Sequence, residues 1–425
     1  MNIMMMTNTF TPHVGGVARS VEHFTAEYRK RGHQVLIVAP VFDKMPEEEN
    51  NVVRIHAIQH FNGSDFSVVL PASGLLDTAI DRFNPDIIHS HHPFLLGLTA
   101  LRLAGRHKLP LVFTHHTMYE QYTHYVPGDS KRLKKFVSNL ATNYANLCNQ
   151  VIAPSESIKE ILVERGVTTK INVVPTGVQI DNFKQGSGTG MRMVLNIPPD
   201  AFAVGHLGRL APEKNLEFLT ESVALFLKKN PKAHFLLVGT GPSLQTIEKV
   251  FDREGLHKRF HYIGLLEQPL LAGAYRAMDV FAFASKSETQ GMVVTEAMAA
   301  GVPVVALDAP GVREVITDDV NGRLLFSETT ADFSSALEKM AALSSEELQN
   351  LKREALKTAD LFSLSHSAEK ALLLYEELEK QDFIKEEKEY QQLEPILSVI
   401  RSEWDIVKNI VDAAGAALDF HDKKS

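Results

Sequence analysis

The sequence is poor in cysteine and tryptophan, with one of each among 425 residues. A single cysteine, Cys148, cannot form an intramolecular disulfide or a thiolate metal cluster, which is typical of a reducing compartment. Basic residues are also a minority, because 44 Lys and Arg against 52 Asp and Glu give a formal net charge of -8. Binding to nucleic-acid phosphates requires a basic surface, so a general nucleic-acid-binding protein is not expected.

Long apolar segments are missing as well. A membrane-spanning helix needs about 18 to 20 uninterrupted apolar residues, and the most apolar stretch, 292–307, contains Glu296, Gly301 and Pro303. The first ten residues, MNIMMMTNTF, have neither the basic leader nor the cleavage site of a signal peptide, and we predict that they form a strand. The chain is therefore not expected to span a membrane, although attachment to a membrane surface stays open.

Short apolar runs alternate with amphipathic stretches along most of the chain. This alternation is typical of parallel sheets with crossover helices, and the length suits two domains of about 150 to 200 residues. We predict an α/β fold with two facing Rossmann-like, doubly wound domains, a ligand cleft between them and a helical C-terminal tail. The predicted strands are 2–6, 35–39, 86–89, 110–114, 151–154, 171–174, 202–207, 234–238, 260–263, 280–284, 302–307 and 323–326.

The domain boundary is predicted at KQGSGTG, residues 184–190, because three glycines and a serine in seven positions favour a flexible connection. Residues 1–185 then form the N-terminal domain and residues 190–375 the C-terminal domain. Residues 376–425 are highly charged, with 13 acidic and 7 basic side chains, and have helical propensity. We interpret this extension as one or two helices, packed or available for self-association or partner binding.

Gly15, Gly16 and Val17 follow the first predicted strand and precede a helical pattern at 18–31. Their backbone N–H groups and the positive end of a helix dipole would suit an anion. The stretch is equally compatible with a plain tight turn. It completes neither a GxxxxGK nor a GxGxxG motif, so neither an ATPase nor a dinucleotide enzyme is indicated.

GRLAPEKN, residues 208–215, follows the predicted strand at 202–207. Arg209 and Lys214 could set two cations around a diphosphate, the guanidinium by a forked contact and the ammonium as a point charge. A solvated loop with ordinary surface charge is the alternative. VGTGP at 238–242 also follows a strand, and its two glycines suit either close approach to a ligand or a turn.

Two histidine-rich segments, HSHHP at 89–93 and THHT at 114–117, end two predicted strands. Several converging imidazoles would suit zinc, but cysteine ligands and an HExxH motif are missing and no carboxylate stands at a recognisable spacing. No metal is therefore expected. Hydrogen bonding to a polyhydroxylated substrate and a structural role both stay open for these histidines, and His91 is the candidate for contact with substrate.

ETQGMVVTE, residues 288–296, has a glutamate at each end and a glycine loop between them. The loop follows the predicted strand at 280–284, and a helix is predicted from Met292 to Ala300. The loop N–H groups and the helix N-terminus can bind phosphate oxygens. Glu288 and Glu296 would repel phosphate, so hydroxyl groups are their expected partners.

In this order, the motifs resemble those of retaining glycosyltransferases of the GT-B fold, family four. The resemblance covers about residues 1–375 and rests on GGV at 15–17, HSHHP at 89–93, VPTGV at 174–178, GRLAPEKN at 208–215, VGTGP at 238–242 and the glutamate pair at 288 and 296 followed by AMAAGVPVVA. It implies that the C-terminal domain binds a nucleotide-sugar and that the N-terminal domain binds the acceptor.

The resemblance also implies roles for single residues. Arg209 and Lys214 correspond to a diphosphate clamp, Glu288 to the glutamate on the sugar hydroxyls, and His91 to the histidine near the transferred sugar. Glu296 corresponds to the glutamate that binds the ribose hydroxyls. The donor-binding residues expected from the motifs and the resemblance together are Gly15, Gly16, Val17, Gly208, Gly239, Gly241, Ile263, Gln290, Gly291, Met292, Val293 and Glu296.

FTHHTMYEQYTHYVP, residues 113–127, resembles the corresponding segment of bacterial 1,2-diacylglycerol 3-alpha-glucosyltransferases. It contains Tyr119 and Tyr122, and a basic helical stretch follows it. Basic and aromatic residues together suit docking on an anionic lipid surface, and a solvated basic helix is the alternative. The basic residues of this stretch are Lys131, Arg132, Lys134 and Lys135.

The function expected from these observations is transfer of a hexose, glucose from UDP-glucose, to a lipid hydroxyl such as that of diacylglycerol, with retention of configuration. The expected location is cytoplasmic, peripheral on the inner face of the cell membrane. No tightly bound cofactor and no divalent metal are expected. The alternatives are a soluble sugar or glycan acceptor, and a non-catalytic GT-B module that joins a complex through its tail.

Overall fold

The computed structural model describes residues 1–380 apart from 14, 44, 47, 48, 59–67, 70–72 and 122–129. Tyr122 and the predicted extension from residue 381 onward lie outside the described residues. The strands are β1 (Asn2–Met6), β2 (Gln34–Pro40), β3 (Val52–Ile55), β4 (Ala57–Ile58), β5 (Val68–Val69), β6 (Ile87–Ser90), β7 (Leu111–Thr114), β8 (Gln150–Ala153), β9 (Ile171–Val173), β10 (Phe202–Leu207), β11 (Ala233–Val238), β12 (Phe260–Ile263), β13 (Val280–Phe283), β14 (Val304–Leu307) and β15 (Gly322–Leu325).

The α-helices occupy the connections between these strands. They are α1 (Gly16–Lys30), α2 (Ser73–Phe83), α3 (Leu96–His107), α4 (Lys131–Leu147), α5 (Glu156–Glu164), α6 (Ile180–Lys184), α7 (Gly188–Val194), α8 (Leu216–Lys229), α9 (Leu244–Arg253), α10 (Leu270–Arg276), α11 (Met292–Ala299), α12 (Thr330–Ala341), α13 (Ser345–Leu361) and α14 (Leu364–Glu379).

Two parallel sheets account for most of the strands. The first has the order β3-β2-β1-β6-β7-β8-β9, and the second has the order β12-β11-β10-β13-β14-β15. In each sheet the chain order reverses beside one central strand, β1 or β10, which is the doubly wound arrangement. All twelve predicted strands are present, and the predicted α/β fold with two Rossmann-like domains is confirmed.

Strand β3 was not predicted. Its four residues, VVRI, include an arginine, and three of them are only half-buried at the edge of the first sheet. An edge strand covered on one face lacks the continuous apolar run that marks a central parallel strand. Nothing in its composition therefore distinguishes it from a loop.

The core of the second sheet explains why its strands are so apolar. Along β11, Leu236 and Val238 pack into one hydrophobic cluster, whereas Phe235 and Leu237 pack into another. Successive side chains of a strand point to opposite faces. Both faces of this sheet are covered, so every position of its central strands favours an apolar residue.

The chain divides into two compact units. The first comprises residues Met1–Ala153, Ile161–Asn172 and the described residues from Ala371 onward, and the second comprises Pro154–Glu160 and Val173–Lys370. The assignment of acceptor binding to the first half and donor binding to the second stays a prediction.

The glycine-rich stretch at 184–190 is closely packed, and its assignment as the domain boundary stays a prediction. It ends α6 and begins α7, both inside the second unit. A Cβ atom on Gly186 would lie 2.7 Å from the backbone nitrogen of Gly273, and one on Gly188 would lie 2.2 Å from the carbonyl oxygen of Arg276. These glycines permit close packing of backbone against backbone, which composition alone does not distinguish from flexibility.

Candidate functional site

The strand order of the second sheet brings two predicted motifs to one edge. Strand β10 is hydrogen-bonded to β11 on one side and to β13 on the other. The loops that follow β10 and β13 carry residues 208–215 and 284–291, and both leave the carboxyl edge where the chain order reverses. Ligands of doubly wound sheets bind at such a switch point. This edge is therefore the candidate site of the second unit.

Lys214 and Glu288 meet at this edge. The Lys214 Nζ atom lies 2.7 Å from Glu288 Oε1, and the two side chains are 18% and 17% exposed. Ser287 Oγ donates a hydrogen bond of 3.1 Å to the carbonyl oxygen of Glu213, which ties the two loops together next to the pair. The pair is partly shielded from water, so its charges interact more strongly than those of a surface pair.

Arg209 forms an ion pair with Glu213 on its own loop. The Arg209 side chain is 51% exposed, whereas that of Glu213 is 8% exposed. Burial raises the pKa of the Glu213 carboxyl, but the hydrogen bond from Arg209 and the charges of Arg209 and Lys214 outweigh it, so the pKa lies below its usual value. Glu213 is therefore an ionised anchor for the guanidinium.

Two glycines of VGTGP are required by the protein itself. A Cβ atom on Gly239, at φ +130°, would lie 1.9 Å from the carbonyl oxygen of Gly208, and one on Gly241 would lie 2.3 Å from that of Leu210. The N–H of Gly239 donates to the carbonyl oxygen of Ile263 at 3.0 Å. Close packing of neighbouring loops alone explains these glycines, so their contact with a donor stays a prediction.

The loop at 284–291 is supported by contacts that the sequence did not reveal. Ser155 Oγ donates a 2.8 Å hydrogen bond to the carbonyl oxygen of Thr289. The backbone N–H of Thr176, in VPTGV, donates to Gln290 Oε1. Gln290 is buried, and its Nε2 atom has no hydrogen-bond partner among the described residues. The predicted site residue Gln290 thus supports the loop through its side chain.

Helix α11 begins directly after Gly291, whose φ of +67° lies in the left-handed region that favours glycine. Met292 and Val293 form its first turn, and the predicted helix start is confirmed. Glu296 is buried on this helix, where its Oε2 atom accepts a 2.8 Å hydrogen bond from the Tyr275 hydroxyl. Tyr275, on α10, was missed because no motif marks it.

His206 adds an imidazole below the same edge. It lies on β10, stacked against Phe281 and Phe283, and its Nδ1 hydrogen-bonds the carbonyl oxygen of Ala282 at 2.9 Å. Burial lowers the pKa of His206 to about 4, and the charge of Lys214 lowers it further while the hydrogen bond to Ala282 opposes the shift. The imidazole is therefore neutral at pH 7 and adds no positive charge to the site.

Five histidines of the first unit form a layer at the ends of β6 and β7, namely His89, His91, His92, His115 and His116. The rings of His89 and His91 have centroids 4.1 Å apart, and His91 Nδ1 lies 2.9 Å from His116 Nε2. His92 accepts a 3.1 Å hydrogen bond from the backbone N–H of Asn8. The structure brings these imidazoles together at one sheet edge.

Every imidazole of this layer is neutral at pH 7. Burial lowers the pKa of four of them to about 3, namely His89, His92, His115 and His116. Neighbouring imidazoles lower the pKa of His89, His92 and His115 further, and the charge of Arg165 also lowers that of His115. Burial and three neighbouring histidines lower the pKa of His91 well below its usual value. His91 Nε2 is buried and has no partner within the described part of the chain.

Gly15, Gly16 and Val17 lie at the start of α1. Gly15 is its N-cap, and a Cβ atom on Gly16 would have no atom within 4 Å. The preceding loop is anchored by Arg54, which donates to the carbonyl oxygen of Thr11 at 2.6 Å. Open space in front of a helix N-terminus suits an anion, and the predicted donor contact at this loop stays a prediction.

Helix α4 presents its four predicted basic side chains to solvent in its first two turns. Ser130 caps the helix by accepting a 3.2 Å hydrogen bond from the N–H of Leu133, and its first turn contains no acidic residue. Tyr119 lies in a 3-10 turn, where its ring packs 5.0 Å from Phe94 and its hydroxyl is buried. The Tyr119 side chain as a whole is half-buried, and its contact with acceptor or membrane stays a prediction.

Two negative findings apply to the described residues alone. No group of three histidine, cysteine, aspartate or glutamate side chains there is arranged to hold a metal ion. No helix in the same residues combines the length and apolar character that crossing a bilayer requires.

Two family models match the chain. The model described as Glycosyltransferase Family 4 matches residues 14–182, and the model described as Glycosyl transferases group 1 matches residues 190–358. The chain belongs to glycosyltransferase family 4. It is a nucleotide-sugar-dependent glycosyltransferase, and the predicted enzyme class is confirmed.

Curated relatives of this glycosyltransferase differ in the sugar that their names indicate. The alpha-monoglucosyldiacylglycerol synthase of Streptococcus pneumoniae is 29% identical over 334 residues, which cover 77% of this chain and 76% of that protein. The GDP-mannose-dependent alpha-mannosyltransferase of Mycobacterium tuberculosis is also 29% identical, over 76% of this chain and 83% of that protein.

A solved structure supports the fold of the whole glycosyltransferase. The crystal structure of Anabaena HepE in complex with UDP and glucose superimposes with a TM-score of 0.70 and 19% identity, over 89% of this chain and 100% of that chain. At this identity the likeness establishes the GT-B fold, as predicted.

Within this glycosyltransferase, the second unit brings Arg209, Lys214 and Glu288 to one sheet edge, as their motifs predicted. The first unit gathers His91 with other histidines at a second edge. Further residues complete the edge of the second unit, and they are Ser155, Thr176, His206, Glu213, Tyr275 and Ser287.

Proposed function

We propose that this glycosyltransferase transfers glucose from UDP-glucose to a hydroxyl group of a lipid such as diacylglycerol, with retention of the α configuration. The name of the S. pneumoniae relative supports both the glucose and the lipid acceptor. The presence of UDP and glucose in the HepE complex supports the donor. The contacts of Lys214 carry the proposal, because they link the two groups that such a donor requires.

A lysine ammonium has three N–H donors. Glu288 accepts one from Lys214 at 2.7 Å, and the positive charge of the ammonium would attract the oxygens of a diphosphate. Glu288 keeps its second carboxylate oxygen for hydroxyl groups of the sugar. The pair therefore joins a phosphate contact, made by Lys214, to a sugar contact, made by Glu288. The negative charges of the Glu288 carboxylate and the diphosphate need not lie against one another.

Departure of UDP develops negative charge on the diphosphate and positive charge on the sugar ring. Arg209, Lys214 and the N-terminus of α11 would stabilise the diphosphate charge, which lowers the barrier. The bond between the anomeric carbon and the phosphate oxygen breaks as the bond to the acceptor oxygen forms on the same face. The acceptor proton passes to the departing phosphate, so no carboxylate needs to act as a nucleophile.

The remaining site residues would bind the ends of the donor. Glu296 is expected on the ribose hydroxyls, and the backbone near Ile263 beside the base. His91 is expected near the transferred sugar, where a neutral imidazole can form hydrogen bonds without repelling the positive ring. The Gly15–Gly16 loop would approach the phosphates.

The exposed basic end of α4 supports action at a membrane surface. Lys131 and Arg132 lie in the first turn of α4, where a positive charge opposes the helix dipole at a cost of about 0.3 to 1 kcal/mol each. Anionic lipids would relieve this repulsion and attract each basic residue by about 1 kcal/mol. We therefore propose peripheral binding to an anionic membrane on the cytoplasmic side.

The membrane proposal predicts that replacing Lys131, Arg132, Lys134 and Lys135 by serine weakens binding to anionic vesicles by about 10³-fold, from about 4 kcal/mol in total. Co-sedimentation with vesicles of 30% phosphatidylglycerol, at several salt concentrations, measures it. A matched control replaces four exposed lysines of the second unit with the same change in charge, namely Lys228, Lys229, Lys232 and Lys258. Equal loss in both variants would indicate net charge alone and would reject the docking surface.

The decisive test of the reaction is incubation of the purified chain with single nucleotide-sugars and a lipid extract, followed by mass spectrometry of the products. Glucosyl-diacylglycerol formed from UDP-glucose is the expected result. GDP-mannose is the second donor to test, because the M. tuberculosis relative with equal identity is named for it. Products that form only on soluble sugars or glycans would reject the lipid acceptor and keep the enzyme class.

A further inference from the structure

His89 lies below the His91 ring and is tied down at both ring nitrogens. Its Nδ1 atom lies 2.6 Å from the Tyr375 hydroxyl, and its Nε2 atom lies 2.7 Å from Thr114 Oγ1. The Tyr375 hydroxyl is also 3.4 Å from that of Tyr28. All four side chains are buried, and all belong to the first unit.

The direction of these hydrogen bonds follows from donor counting. Tyr28 donates to the oxygen of Tyr375, so the hydroxyl hydrogen of Tyr375 is available for another acceptor. The acceptor within reach is His89 Nδ1 at 2.6 Å, and a buried hydroxyl that donated to nothing would cost free energy. Because a neutral imidazole carries one N–H, the hydrogen of His89 lies on Nε2 and is donated to Thr114 Oγ1.

We propose that Tyr375 is a positioning residue that holds His89 in its Nε2–H tautomer and thereby supports the His91 ring. The His89 and His91 rings have centroids 4.1 Å apart at an interplanar angle of 34°, so a change in the orientation of His89 is transmitted to His91. The inference rests on the proposed role of His91 beside the transferred sugar. It gives the C-terminal part of α14 a task in the reaction.

The alternative is that Tyr375 only fills space between α1 and the sheet. Its ring does pack 5.8 Å from Tyr28 and 5.7 Å from His89. Filling space requires the ring, whereas positioning requires the hydroxyl. The two roles are therefore separable, because phenylalanine keeps the ring and removes the hydroxyl.

The test compares Tyr375→Phe with Tyr28→Phe, a matched control that removes the other buried hydroxyl without touching His89. Tyr375→Phe should lower kcat about tenfold with an unchanged KM for UDP-glucose, because a hydrogen bond that orients a reacting group is lost. Tyr28→Phe should keep kcat within about twofold. Equal kcat values in the two variants would overturn the proposal.

A spectroscopic readout separates this inference from the proposed function. Long-range ¹H–¹⁵N spectra of histidine report which ring nitrogen carries the hydrogen, and they require no turnover. The native chain and Tyr28→Phe should have His89 as the Nε2–H tautomer, whereas Tyr375→Phe should show a mixture of tautomers. An unchanged His89 signal in Tyr375→Phe would overturn the inference even if glucose transfer is confirmed.

A second variant keeps the question answerable if Tyr375→Phe does not fold. Thr114→Val removes the acceptor at the other nitrogen of His89 and preserves side-chain volume. It should shift His89 toward the Nδ1–H tautomer and lower kcat by a similar factor. A native tautomer and native kcat in Thr114→Val would reject the positioning of His91 through His89. If the chain proves to use another donor or acceptor, the same kcat comparison applies to that pair, while the tautomer measurement is unaffected.

Discussion

Replacing Lys214 by alanine tests the candidate site most directly. The change removes an ammonium whose Nζ lies 2.7 Å from Glu288 Oε1 at a partly shielded sheet edge. Loss of one preorganised donor that stabilises transition-state charge costs about 2.7 to 4 kcal/mol, so kcat/KM should fall about 10²- to 10³-fold. The stability cost should stay near 1 to 2 kcal/mol, below that of a fully buried pair, because the Glu288 side chain is 17% exposed and remains partly hydrated.

The assay is the initial rate of sugar transfer with the donor and acceptor identified by the product screen, together with the thermal unfolding midpoint. Lys229→Ala is the matched control, because Lys229 also pairs with a glutamate, Glu338, at 2.8 Å but is 52% exposed and lies between α8 and α12. We expect its activity to be native, since exposed pairs contribute about 0 to 1 kcal/mol. Lys214→Ala with a native rate would refute the assignment of Lys214 to the diphosphate.

Two further predictions concern stability. Gly239→Ala should destabilise the second unit by about 2 kcal/mol and lower its unfolding midpoint by several degrees, because the new methyl carbon would lie 1.9 Å from the carbonyl oxygen of Gly208 at a positive φ. Gly264→Ala is the control, since the nearest atom to its methyl carbon would be 4.0 Å away. Equal unfolding midpoints for the two variants would contradict the steric reasoning. Stability should fall as the pH drops from 6.5 toward 4, since burial lowers the folded-state pKa of histidines such as His115 to about 3 while the unfolded chain binds protons near 6.5. Urea unfolding at pH 7, 6 and 5 measures the slope of the free energy of unfolding against pH, which is about 1.4 kcal/mol per pH unit for each proton that the unfolded chain binds in excess. His115→Leu should reduce this slope by the contribution of about one proton. A flat profile would show that these histidines are not buried as neutral groups.

The strands and the motif loops were predictable because their signals are local. A strand covered on both faces favours apolar residues, as in β11 from Phe235 to Val238, and that run is visible in the sequence. Glycine loops directly after such runs must lie at the carboxyl edge of a parallel sheet. The candidate residues Arg209, Lys214 and Glu288 were found by this reasoning together with the family resemblance.

The contacts that complete the site were not predictable, because each joins residues far apart in the chain. Thr176 meets Gln290 across 114 residues, and Tyr375 meets His89 across 286. One sequence contains no signal for such pairs. The same limit applies at 184–190, where composition alone does not distinguish glycines that pack against backbone from a flexible connection.

The sequence by itself determined the α/β class and the positions of twelve strands, because hydrophobic periodicity is a property of short segments. Only the tertiary structure decided which groups are partners. The order of strands around β10 places Lys214 next to Glu288. The contact between Glu296 and the Tyr275 hydroxyl joins two helices, α11 and α10. Partner choice depends on the arrangement of whole elements in space, and this arrangement gives two similar glutamates different partners, an ammonium for Glu288 and a hydroxyl for Glu296.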